Sequence, residues 1–179
     1  MTLFVFVALP VAVLISIASW KLRTGTRNQL LAMAALVTLT GVLAVFTLLG
    51  VPELDDPGEM RGLIWFLAGA LAAAGGGPLT VTVLWLVDRD HPSGGPGSMQ
   101  QAADVLRGGA WIGVMERAAV FATLGAGWPE GLAVVLAVKG LGRYPELRSP
   151  GAAERFIIGS FTSVLWASAC AGVAMSIAR

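Results

Sequence analysis

The sequence predicts an all-α fold: a polytopic transmembrane bundle of about six helices forming a single domain over residues 1–179. Three observations lead there. Hydrophobic residues make up 56% of the chain and charged residues only 13%, with a mean hydropathy of +0.77, so there is too little polar surface to cover a water-soluble globule. Several apolar runs reach the roughly 20 residues that a bilayer-crossing helix requires. Lys and Arg concentrate in alternate segments between those runs, the distribution that orients membrane proteins with basic loops in the cytoplasm.

The first span covers residues 2–20, TLFVFVALPVAVLISIASW. It has no basic leading region, and Lys-Leu-Arg follows it in place of a cleaved start, so it reads as a retained span rather than a signal peptide. Pro10 should kink it. Residues 21–29 hold Lys21, Arg23 and Arg27 with no acid, which places this loop in the cytoplasm and the N-terminus outside. The second span, residues 30–50, leads to an external acidic loop bearing Glu53, Asp55, Asp56 and Glu59. Those carboxylates are read as a solvated charge run in preference to a metal site.

The third span, residues 62–87, contains Gly75, Gly76, Gly77 and Pro78 in succession. Each glycine costs about 1 kcal/mol of helix propensity relative to alanine, and Pro78 removes a backbone donor, so the helix is expected to bend or break there. Broken helices often line binding sites in membranes, because their free backbone groups need partners. The alternative is a neighbouring element packed closely on bare backbone. The segment lacks the following Gly-Lys-Ser/Thr of a phosphate loop.

Residues 88–107 are the longest hydrophilic stretch, with a Pro/Gly/Ser turn, a short helix capped by Ser98, and Arg89 and Arg107 marking it as cytoplasmic. The fourth span runs over about 109–126 and the fifth over 130–147, turning at Gly127-Trp128-Pro129. Ser149 and Pro150 form a cap and first-turn pair for the last span, residues 150–177. Arg148 and Arg155 add to the cytoplasmic side, whereas external segments hold only Arg61 and the terminal Arg179. Both termini are therefore expected outside a plasma (inner) membrane. No internal repeat is visible. The single cysteine, Cys170, excludes an internal disulfide, and the single histidine, His91, lies in a loop, so neither a His/Cys metal cluster nor a cofactor is expected.

Ionisable residues inside apolar spans are rare and mark a function or a fixed pairing. Here they are Glu116 and Arg117 in the fourth span and Lys139 and Arg143 in the fifth, with Glu146 following. If these spans form an antiparallel hairpin, residues equidistant from the turn face each other, which pairs Glu116 with Lys139 and Gly113 with Gly142. At a rise of about 1.5 Å per residue, Glu116 and Lys139 lie roughly 17 Å from the turn, near the middle of a hydrocarbon layer about 30 Å thick. The paired glycines, with Gly109, should let the two backbones approach closely. Lys139, Arg143 and Glu146 share one helix face.

The segments GGAWIGVMER (108–117), AVKGLGRYPEL (137–147) and AERFIIGSFTS (153–163) resemble those of a family of bacterial membrane proteins known only as a domain of unknown function. Glu116, Arg117, Lys139, Arg143, Glu154, Gly159 and Ser163 occupy matching positions. Gly140 stands where that family usually has serine and Ser160 where it has threonine, which alters hydrogen bonding around Lys139. The family's usual His- and Asp-bearing first helix is absent from this N-terminal half. The resemblance implies a membrane location and a shared polar centre, and no reaction.

The expected ligand set is Glu116, Arg117, Lys139, Arg143, Glu146, Glu154 and Ser163, and the excess of cations leaves room for an anionic lipid or solute. Other expected partners are bulk membrane lipids and a membrane-protein partner or a second copy of the chain, with no nucleic acid. A structural or accessory subunit, whose buried charges only fix helix packing, is the competing class. An enzyme is the weakest, because no Ser-His, paired-aspartate or metal-ligand arrangement is visible.

Overall fold

The structure is a computed structural model, and it describes residues 2–22, 26–48, 58–90, 109–145 and 150–177. Among these residues the chain forms six α-helices and no strand: α1 (Thr2–Ser19), α2 (Arg27–Leu48), α3 (Gly58–Asp90), α4 (Gly109–Gly125), α5 (Gly131–Gly142) and α6 (Pro150–Ile177). Helices satisfy the peptide groups of long apolar runs internally, as a segment in lipid would require. Among the described residues three stretches are long and apolar enough to cross a membrane: Arg27–Val45, Arg61–Val87 and Gly151–Ile177. The 12 residues of α5 rise only about 18 Å, short of a bilayer core, and the expected continuation through residue 147 turns instead at 143–145. The short helix expected after Ser98, the acidic loop around Asp55, and Glu146 lie outside the described residues.

Helix ends follow local chemistry. Thr26 accepts a hydrogen bond from the backbone N–H of Gln29 at 3.3 Å, a side-chain cap on α2. The α4 helix ends at Gly127, whose φ of 70° is costly for other residues. Gly127 N–H donates to the Leu124 carbonyl and Trp128 N–H to the Thr123 carbonyl, the paired bonds of a Schellman motif. The turn therefore falls where the Gly-Trp-Pro sequence places it, and α5 packs on α4.

The α3 and α6 helices form the central packed pair, with α1 and α4 flanking α3 and α2 closing against α1 and α6. Leu9, Leu36, Leu43, Ile64, Leu71, Val120 and Cys170 are buried in one continuous core. Trp65 and Phe121 meet edge to face, with ring centroids 5.5 Å apart. Outside this core the surface stays apolar: Phe66, Trp111 and Leu141 are each more than 70% exposed. If the bundle lies in lipid, such side chains would gain nothing from association, leaving packing and polar contacts between helices to hold it together.

Polar contacts of that kind concentrate on α3, which runs unbroken through Gly75–Pro78. The expected helix break is absent: the one donor that proline removes is replaced from outside the helix, and two neighbouring carbonyls receive an additional bond. Pro78 has no N–H for the Ala74 carbonyl four residues earlier, and the indole Nε1 of Trp20 donates to that oxygen at 2.9 Å. Arg117 Nε donates to the Ala73 carbonyl at 2.9 Å, and Trp166 Nε1 to the Leu71 carbonyl at 3.2 Å. The glycines make room for these side chains. A Cβ at Gly75 would come within 2.7 Å of Trp166, one at Gly77 within 2.8 Å of Trp20, and one at Gly76 would collide with Arg117.

Candidate functional site

The α4 helix places two adjacent charges on different neighbours, because successive residues on a helix point about 100° apart. Glu116 faces α5, where its Oε2 lies 2.5 Å from Lys139 Nζ. Arg117 faces α3 and is only 4% exposed. Its Nε is held by the Ala73 carbonyl, while Nη2 is buried with no partner among the described residues. The expected packing of Gly113 against Gly142 is not found. Gly113 instead faces Arg117 Nη1, and the space a Cβ would take at Gly142 is open.

Beside Arg117 lies a cavity of about 410 Å³. Its walls come from the C-terminal parts of α1, α3 and α5 and the N-terminal parts of α2, α4 and α6, as successive helices running in alternating directions would provide. The apolar core fills the other half of the bundle, through residues such as Leu9, Ile64 and Val173. The hollow end is the one that carries Lys21, Arg27, Arg143 and Arg155.

Five of the residues expected at the site line this cavity: Glu116, Arg117, Lys139, Arg143 and Ser163, joined by Gly77 and Pro78. Gly75 and Gly76 are buried instead beneath Trp166 and Arg117. Glu154 is exposed on α6 and away from the cavity wall, because its position one residue before Arg155 turns it to another face. Glu146 lies outside the described residues.

Sequence reasoning missed Gln29, Thr80 and Ser160, all of which line the cavity. Gln29 Oε1, Thr80 Oγ1 and Ser160 Oγ are buried without hydrogen-bond partners among the described residues. The Thr26-Arg27-Asn28-Gln29 sequence has the Thr-x-x-Gln form of a capping box, which would have put Gln29 inside α2 rather than in a loop. No local signal marks Thr80, and Ser160 is singled out only by the family resemblance; the placement of both depends on how α3 meets α6.

The cavity thus combines a buried guanidinium with a free N–H, two uncommitted hydroxyls, and further basic residues along its wall. Donors of this kind suit the oxygens of phosphate, sulfate or carboxylate, with arginine offering a planar fork and lysine a point charge. No protein-family model, curated protein or solved structure matches the chain, so the site is read from its own geometry.

Proposed function

We propose that the chain is a multi-pass membrane protein of about six helices that binds or moves an anionic lipid or solute through this cavity. In this reading the cavity opens toward the cytoplasmic side of a plasma membrane, and both termini lie on the opposite side. Its principal support is Arg117 Nη2, a buried charged donor against the cavity without a partner among the described residues. A buried polar group left unmatched costs roughly 1–3 kcal/mol, and more when charged, whereas an oxyanion would satisfy it. The basic segments at residues 21–29 and 143–155 would draw anionic headgroups to the same side, at about 1 kcal/mol for each basic residue near the surface.

If the charges served packing alone, the Glu116–Lys139 pair and the Arg117–Ala73 bond would suffice, and the orphaned donors would only weaken the bundle. Native mass spectrometry of the detergent-purified protein separates the two roles. Retained anionic lipid or solute that is lost on Arg117→Met supports the proposal. A stoichiometric protein partner, with no small anion, supports an accessory subunit instead.

A further inference from the structure

We propose that the anionic ligand of this cavity also carries a free hydroxyl group, as a polyol phosphodiester does, and that Gln29 accepts a hydrogen bond from it. The inference rests on the reading of the cavity as an oxyanion site and specifies its ligand. Gln29 is 2% exposed and lines the cavity from the first turn of α2.

The orientation of its amide follows from the neighbouring bonds. Thr82 donates its hydroxyl proton to the Pro78 carbonyl at 2.8 Å. A threonine hydroxyl has one proton, so Thr82 Oγ1 must be the acceptor in its 3.1 Å contact with Gln29 Nε2. That fixes the amide with its NH2 toward Thr82, and Oε1 becomes the end without a partner among the described residues. An ionised phosphodiester, sulfate or carboxylate has no proton to offer an amide oxygen, and a fully ionised phosphate monoester has none either. The complementary group is a hydroxyl or an ammonium, and charge decides between them. Among the described residues the wall carries the buried guanidinium of Arg117, whose Nη2 has no partner there, and the acid Glu116, which Lys139 already engages. An ammonium would enter a field of its own sign, so a hydroxyl is the donor that fits. Arg117 at one side and Gln29 at another then read the two halves of one ligand.

The test uses two matched probe pairs with the full chain in detergent. The lipid pair is phosphatidylglycerol and phosphatidylethanol with identical acyl chains, and the soluble pair is glycerol 3-phosphate and ethyl phosphate. Within each pair the members share a phosphate ester and differ in their hydroxyls. In whichever pair binds, the hydroxyl-bearing member should bind about fivefold more tightly, the effect of one neutral hydrogen bond. Gln29→Met should erase that preference. The responding pair also shows whether the ligand is a headgroup or a free solute. Equal binding within the responding pair overturns the hydroxyl assignment and leaves the oxyanion site standing. Failure of every probe to bind, or binding that Arg117→Met leaves unchanged, overturns the oxyanion site itself. The wild-type comparison decides the matter even if Gln29→Met does not fold.

Discussion

The indole of Trp20 donates its N–H to the carbonyl of Ala74 at 2.9 Å, and Ala74 is the residue whose helical donor Pro78 has removed. A proline inside α3 is thereby matched by a tryptophan from beyond the end of α1. Trp20→Phe keeps the ring but removes the N–H, and it should lower stability by about 0.5–1.5 kcal/mol, the net worth of one neutral hydrogen bond. Pro78→Ala supplies a backbone donor to the same oxygen, so Trp20→Phe should cost less in that background. Thermal unfolding of the four proteins in detergent forms the cycle. Strictly additive losses would show that the two residues do not share Ala74.

Glycine positions separate into two classes. A Cβ at Gly76 would strike the Arg117 side chain and come within 3.1 Å of Trp166, whereas at Gly140 it would meet nothing within 4 Å. Gly76→Ala should therefore displace Arg117 from Ala73, reduce thermal stability and abolish stabilisation by anionic ligand. Gly140→Ala should stabilise the protein by about 0.5–1 kcal/mol through helix propensity. Equal effects in the two variants would contradict the close packing on α3.

The side chains of Glu116 and Lys139 retain 19% and 17% of their exposure, so both ions are largely removed from solvent. Glu116→Ala should cost about 3 kcal/mol, toward the lower end for a buried pair because some solvation remains. Replacing both with leucine and methionine should be milder than the worse single change. A double variant no more stable than that single would argue against a shared pair.

Equal spacing from the Gly-Trp-Pro turn is enough to place Glu116 opposite Lys139, because helical rise converts residue number directly into depth. The same count fails for Gly113 and Gly142, since depth says nothing about which way a helix is rotated. Glycine and proline propensities identify the special stretch at Gly75–Pro78 but do not by themselves choose between a break and close packing on bare backbone, and it is the packing that the glycine contacts show. They price the loss of local helix stability, while Trp20, Arg117 and Trp166, distant in sequence, supply donors to its carbonyls. Ser160 and Thr80 carry no periodic signal of their own, and only the meeting of α3 and α6 turns them toward the cavity.

Orientation can be read with single cysteines because the native Cys170 is buried and should stay silent to impermeant reagents. With the basic segment inside and the acidic segment outside, Thr24→Cys should label only after the membrane is opened, and Asp56→Cys in intact cells. Labelling of both from one side would break the alternating topology.

Arg117 has two tasks that only a forked side chain performs together: Nε holds the Ala73 carbonyl, while Nη2 is left against the cavity. Arg117→Lys keeps the charge but offers a single nitrogen on a flexible stem, so it cannot reach both positions with fixed geometry. The variant should stay folded and lose about tenfold in affinity for anionic lipid, the scale of one charge-assisted hydrogen bond. Arg143→Gln and Lys139→Met, changed farther along the wall, should weaken binding as well. The measurement is the thermal shift of each protein in nanodiscs with and without anionic lipid. If anionic lipid stabilises wild type, Arg117→Lys, Arg143→Gln and Lys139→Met to the same degree, the cavity does not bind the anion, and the charges serve helix packing.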